Sequence, residues 1–383
     1  MNVGATAMVA RSKGAGDPEK ANLFLRQALL MTLTFSVVSA VLGYIFAEPL
    51  VRFMGAADPQ TLAGGVSYLR IQMLGLVFLA LTSTVTATLR GAGNSRTAMV
   101  YNVISNVINV IFNYLLIYGN FGFPRMEVAG ASLATIIGQM VAFVLAYRAV
   151  MSGRNYLHLR LSDGFRPSKD ALSSIVKIGL PAMVEQLIMR AGVIIYTKMV
   201  ASLGTVPYAT HQICLNIQAL SFMNGQAFAV SATSLVGQSL GKKRPDMAQA
   251  YSKRTRRIAL LVSIFLASIF FFFGRNIIGL YTKEAEIIAT GSILMMLVAV
   301  VQPLQSSQFV LAGALRGAGD TKSVAVCTFL TILLVRPGIA YITIFGLGWG
   351  VIGAWIALVI DQAIRSGLIM LRFYSGKWKQ IKI

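Results

Sequence analysis

Among the charged residues well inside long apolar stretches of this chain are the acids Glu185 and Asp361, and the bases Arg190, Lys198, Arg336 and Arg365. An unpaired charge near the middle of a membrane span costs roughly 2.5–3.5 kcal/mol on insertion scales, so such residues are expected to pair or to face a wet cavity. Asp361 and Arg365 are four positions apart and share a helix face. They read either as an internal ion pair or as part of an ion-coupling site. Glu185 stands one turn after Pro181 in GLPAMVEQLIMR. Arg190 lies about 140° further round that helix, so a partner must come from another element. Arg336, in LLVRPGIAY, matches Glu185 in depth and is the expected partner. An acid held between desolvation and a nearby guanidinium can bind a proton in one conformation and release it in another. Glu185 therefore reads either as a coupling or substrate-cation residue or as a static partner of Arg336. Gln186 and Met189 beside it are candidate cavity-lining residues.

Other polar residues sit in apolar surroundings. Asn102, Asn106, Asn109 and Asn113 are spaced 4, 3 and 4 apart and make one stripe. The stripe, with Asn106 and Asn109 near its middle, serves either interhelical hydrogen bonding or the wall of a cavity. His211, Gln212 and Asn216 open another span, with His211 either a packing residue or a proton-sensitive gate. Pro303 interrupts a helix, and Gln302, Gln305, Ser306, Ser307 and Gln308 around it can satisfy freed backbone groups or line a cavity. Cys214 and Cys327 are isolated in apolar runs, and no His, Cys or acid cluster has metal-ligand spacing. There is no nucleophile–base set and no phosphate loop, so neither an enzyme nor a cofactor is expected.

The elements that would position these residues are membrane helices. Of the 383 residues, 56% are hydrophobic and only 12% charged, with mean hydropathy +0.70, too few charges for the shell of a soluble protein. Apolar runs read as spans at 22–46, 66–88, 97–118, 128–150, 171–200, 208–236, 256–280, 288–313, 323–345 and 349–371. The net charge of +21 is concentrated in alternate loops, which hold 23 Lys and Arg against six acids in or beside them, while the opposite loops hold four bases and five acids. That is the positive-inside pattern, which places the basic loops in the cytoplasm and argues against nucleic acid as a partner.

One loop is written twice. TLRGAGNSRTA begins at Thr88 and ALRGAGDTKSV at Ala314. The match extends from 1–14 onto 228–241 and from 127–139 onto 350–362. Six spans separate the two loops, so the repeat is parallel, about an axis along the membrane normal. The expected organisation is an N-terminal lobe at 1–157, a cytoplasmic linker at 158–170 and a C-terminal lobe at 171–383. By this register the first lobe lacks its first helix and most of its second. In each LRGAG loop Leu ends the helix, Arg is expected at headgroup level, the glycines permit the turn, and Asn94 or Asp320 is suited to capping the next helix.

With ATHQI at 209–213 and SLVGQSLG at 234–241, these loops resemble those of the multidrug and toxic compound extrusion (MATE) transporters. The resemblance implies an all-α polytopic membrane protein of two six-helix lobes. It also implies a monomer in a bacterial-type plasma membrane, among lipid, exporting small amphiphilic or cationic solutes in exchange for H⁺ or Na⁺. On that reading Glu185, Arg336 and Asp361 are the candidate ion and substrate residues. The chain departs from the NorM branch, where a Glu occupies the position of Met189 and an Asp precedes the LRG motif. The acid that the DinF-like branch uses lies in a first-lobe helix not present here. Two alternatives stay open: a lipid-linked precursor flippase, suggested by Arg190, Lys198, Arg336 and Arg365, and a non-transporting remnant.

Overall fold

The structure, a computed structural model, describes residues 1–55, 58–153, 155–160 and 164–381. Arg154, Asp163 and Lys382, three charges of the basic loops, and 161–163 of the expected linker lie outside the described residues. The described residues are helical, and the chain divides into two compact units, Met1–Ile175 and Val176–Ile383. It is an all-α polytopic membrane protein.

The first unit contains α1 (Asn2–Gly14), α2 (Pro18–Ile45), the short α3 (Ala47–Phe53), α4 (Pro59–Gly91), α5 (Ser95–Tyr118) and α6 (Glu127–Met151). Helix starts are encoded locally. Asp17 precedes Pro18 and accepts the Lys20 N–H at 2.9 Å, and Asp58 precedes Pro59 and accepts the Thr61 N–H at 2.9 Å. The described residues on either side of 161–163 are anchored to α2. The His158 and Ser168 N–H groups donate to Asn22 Oδ1 and Gln27 Oε1 on α2 at 2.9 and 3.1 Å, and Leu159 is buried.

The second unit is built on α7 (Lys169–Ala201), α8 (Thr205–Gly241), α9 (Pro245–Gly279), α10 (Ala285–Gly317), α11 (Thr321–Phe329), α12 (Arg336–Tyr341) and α13 (Gly350–Tyr374). π-helical stretches at Leu330–Val335 and Ile342–Gly346 flank α12. Pro337 cannot donate to the carbonyl four residues back, and the wider helix beside it absorbs that break. Nine of the ten expected spans, counting Thr321–Gly346 as one, are long and apolar enough to cross a membrane. The tenth, α8, has the length at 37 residues but not the hydropathy. It buries polar residues, among them Thr210, His211, Gln218, Thr233 and Ser239, inside the second unit.

The repeat is visible as one contact made twice. In the first unit Thr6 Oγ1 donates to Asn2 O at 2.9 Å and Ala87 O at 3.0 Å. In the second, the aligned Thr233 Oγ1 donates to Ala229 O at 2.9 Å and Gly313 O at 2.8 Å. The first glycine of each LRGAG lies against the same residue: a Cβ on Gly91 would meet the Thr6 backbone, and one on Gly317 the Thr233 backbone. The second glycine adopts a left-handed backbone, with φ +78° at Gly93 and +88° at Gly319. There the Asn94 and Asp320 N–H groups reach back to Leu89 O and Leu315 O, both at 2.8 Å, closing a Schellman turn. The two glycines thus have different duties, close approach and turn.

The loops differ at their caps. Asn94 accepts the Thr97 N–H at 3.2 Å as expected. Asp320 makes no backbone cap and instead accepts from Ser323 Oγ at 2.6 Å and Arg372 Nε at 2.7 Å.

Gly317→Ala is expected to lower the thermal midpoint of the detergent-solubilised protein, with an overpacking cost of about 1–3 kcal/mol. Gly367, where a Cβ meets nothing within 4 Å, is the control. Equal midpoints for Gly317→Ala and Gly367→Ala would remove close approach as the reason for the first glycine.

Candidate functional site

The second unit has an open cavity of about 420 Å³ between α7, α8, α10, the α11–α12 segment and α13, with Gln186 and Arg190 exposed in its wall. Its wall carries Glu185, Arg190, Arg316, Arg336 and Arg365, the amides Gln186, Gln218, Gln226, Gln305, Gln308 and Gln362, and the apolar Met189, Phe222, Phe309 and Leu358.

Asp361, wholly buried, organises one end. Its Oδ2 accepts from Arg336 Nε at 3.0 Å and Nη2 at 2.5 Å, and from Arg365 Nη2 at 2.9 Å. Arg336 also stacks over Tyr196, 5.6 Å from the ring centre. The expected Asp361–Arg365 pair is therefore formed, but Arg336 shares it. Asp361 Oδ1 and Arg365 Nε are buried without a hydrogen-bonding partner.

Glu185 sits elsewhere on the wall and does not pair with Arg336. Its Oε1 accepts from Arg316 Nη2 at 2.5 Å, with Thr328 Oγ1 at 3.4 Å, and its Oε2 is buried and unpartnered. Arg316 is the arginine of the second LRGAG loop. It was expected to stay at headgroup level, yet its side chain is only 14% exposed. Arg336 was matched to Glu185 by depth alone, and depth does not specify azimuth. The π-helical turn before Arg336 changes its azimuth, and its guanidinium lies on Asp361 of α13.

Of the other expected lining residues, Gln186, Met189 and Gln305 face this cavity, and His211, Gln212, Asn216 and Gln302 do not. His211 is fully buried, with Trp355 Nε1–H donating to its Nδ1 at 3.1 Å and Tyr196 edge-on at 5.5 Å. It packs rather than lines. Asn216 is exposed. Gln302 faces a void of about 10 Å³ beside Pro303, shared with Ser263 and Ser306, room for about one water. Lys198 is absent from the cavity wall. In the first unit, Asn109 Nδ2 reaches Thr135 Oγ1 on α6 at 3.4 Å and accepts from Asn113 at 3.1 Å, whereas Asn106 is exposed. Neither Asn106 nor Asn109 lines the cavity of about 520 Å³ between α2 and α4.

Gln308, one of the polar residues around Pro303, also faces the cavity, whereas Gln218, Phe222 and Gln226 on α8 and Phe309 on α10 were not anticipated. A signal existed: 218, 222 and 226 are spaced four apart, and 305, 308 and 309 follow the three-and-four rhythm of one helix face.

A family model, MatE, matches residues 1–115 and 181–342. The chain belongs to the MatE family. It is similar to the "probable multidrug resistance protein NorM" of Thermotoga maritima, 28% identical over 381 residues, covering 99% of this chain and 81% of that relative. Two solved structures share the fold with TM-scores of 0.90. One is an outward-facing multidrug resistance MATE transporter of the MOP superfamily, 22% identical over 98% of this chain and 84% of that one. The other is a MOP superfamily transporter from Pyrococcus furiosus, described as having a binding pocket of reversed polarity, 23% identical over 98% of this chain and 82% of that one.

Asp361→Asn in this MatE protein weakens the compensation of two buried guanidinium groups, whereas Arg365→Gln leaves Asp361 bonded to Arg336. Removing one partner of a buried pair costs about 3–5 kcal/mol. Asp361→Asn is therefore expected to reduce folded yield and thermal midpoint more than Arg365→Gln, measured by fluorescence size exclusion after heating. The reverse order would show that Asp361 is not the shared counter-ion.

Proposed function

We propose that the protein is a secondary-active exporter that moves amphiphilic drugs or metabolites out of a bacterial-type cell by alternating access, in exchange for H⁺ or Na⁺. The observation that carries this reading is the cavity itself: about 420 Å³ of mixed aromatic, amide and charged wall with a buried, half-satisfied carboxylate, Glu185 Oε2, inside membrane helices. Family membership and the drug-resistance name of the Thermotoga relative support it. One cation entering down 100 mV contributes about 2.3 kcal/mol, enough to drive a solute uphill. Glu185 is the proposed coupling residue. Its bond to Arg316 weakens when it takes a proton, so its protonation is mechanically linked to the end of α10.

One observation favours a second reading, movement of a lipid-linked precursor. Arg190, Arg336 and Arg365, three of the bases well inside apolar stretches, share one cavity wall and suit a phosphorylated headgroup.

Reconstituted full-length protein should move a fluorescent amphiphile across vesicles under an imposed pH or Na⁺ gradient, and Glu185→Gln should abolish the gradient dependence while the protein remains folded. If Glu185→Gln mainly loses expression, and Glu185→Gln with Arg316→Met restores both folding and driven flux, Glu185 is only a counter-ion. Orientation is tested with single cysteines in a background lacking Cys214 and Cys327. Cysteines replacing the exposed Lys169 and Lys253 should react with an impermeant thiol reagent only from the cytoplasm, and one replacing Lys283 only from outside. Labelling of all three from one side would overturn the proposed topology.

A further inference from the structure

The charge on the cavity wall has a sign. Four guanidinium groups, from Arg190, Arg316, Arg336 and Arg365, meet two carboxylates, Glu185 and Asp361. Both carboxylates are already engaged: Asp361 Oδ2 by two arginines, Glu185 Oε1 by Arg316. Arg190 makes no ion pair with an acid among the described residues. The wall therefore carries two more positive than negative groups, inside helices whose surroundings are hydrocarbon. An uncompensated charge at that depth is costly, and a counter-anion removes the cost.

Unused donor capacity sits in the same place. Arg365, 3% exposed, has a buried Nε–H with no partner. Gln305, Gln308 and Gln362, all under a tenth exposed, each have an unpartnered side-chain oxygen position. The Nε2 of each makes no hydrogen bond among the described residues and is not itself buried, so the NH₂ is available to a ligand. Planar guanidinium groups match the oxygens of a carboxylate, sulfonate or phosphate. The apolar remainder of the wall, Met189, Phe222, Phe309 and Leu358, suits an apolar body attached to such a group.

We propose that this cavity recognises the oxyanion of an amphiphile, a carboxylate, sulfonate or phosphate on an apolar body, in preference to a cationic group. The proposal rests on the export reading above for the solute's passage through the cavity, and binding alone tests it. A free organic acid and a membrane lipid headgroup offer the same oxyanion chemistry.

The full chain in phosphatidylcholine nanodiscs is titrated with three probes sharing one naphthyl body, bearing a sulfonate, a trimethylammonium group or no charge. The sulfonate is expected to bind at least about tenfold more tightly than the cation, the scale of one charge-assisted hydrogen bond. Arg190→Gln removes a positive group without stranding an acid, and should weaken sulfonate binding roughly tenfold while leaving the neutral probe unchanged. Arg365→Gln, in which Asp361 keeps Arg336, should act in the same direction. Phosphatidylglycerol in the nanodisc separates the sources. Displacement of the sulfonate in the parent protein, with weaker displacement in Arg190→Gln, identifies a lipid headgroup as occupant, and no displacement identifies a free solute. A cation preference, or sulfonate affinity indifferent to both arginine substitutions in folded protein, would overturn the proposal and leave the export reading standing. Sulfonate selectivity without gradient-driven flux would do the reverse.

Discussion

A carboxylate with no exposed surface and three guanidinium hydrogen bonds sets the terms for the second unit. Asp361 is wholly buried and bonded by both Arg336 and Arg365, and each of these buried arginines has Asp361 as its counter-ion. That mutual dependence ties α13 to the segment after the π-helical turn. The turn is needed for the same reason: Pro337 breaks the ordinary ladder, and the wider winding before Arg336 sets the azimuth of its guanidinium. A second pair, Glu185 with Arg316, ties α7 to the last turn of α10. Both pairs border the cavity, with Glu185, Arg316, Arg336 and Arg365 on its wall.

The repeat supplies the frame and then departs from itself where chemistry is placed. Both units use a threonine hydroxyl to bind the neighbouring helix's backbone, a first glycine to allow that approach and a second to end the helix. These are backbone duties, so the same residue types serve both. Side chains beyond the frame are free to differ. Asn102, Asn109 and Asn113 of the first unit's stripe bond within α5 or to α6, whereas the aligned stretch of the second unit offers Thr328 to Glu185 and carries the π-helical turn.

Legibility in the sequence followed the same division. Spans, repeat register and loops could be read because length, hydropathy and glycine placement act locally. Asp361–Arg365 could be read because both residues stand on one helix. Glu185–Arg316 could not, because the two are 131 positions apart and an arginine at a helix end is ordinarily assigned to the headgroups. The Arg336–Asp361 bond could not be read because a π-helical turn, which sets the azimuth of Arg336, is not legible in the apolar pattern. His211 lies in a stretch polar enough to suggest a cavity, but polarity in α8 also reflects hydrogen bonds inside the core, such as that from Trp355. Whether a buried polar residue faces a void or a partner depends on the neighbouring helix, which no single helix encodes.

On the proposed exchange reading, the sign of the cavity charge constrains the mechanism. A proton and a cationic solute compete for the same carboxylates, so exchange of the two needs no device beyond a shared site. A proton and an anionic group do not compete: neutralising Glu185 or Asp361 leaves the wall more positive and favours the anion. Exchange of a proton for an anion must therefore run through geometry rather than competition. The Glu185–Arg316 bond offers that geometry. Neutral Glu185 loses most of its hold on Arg316, and Arg316 stands three residues before Gly319, whose left-handed turn joins α10 to α11. On the proposed reading, a charge change at Glu185 acts at the turn between α10 and α11.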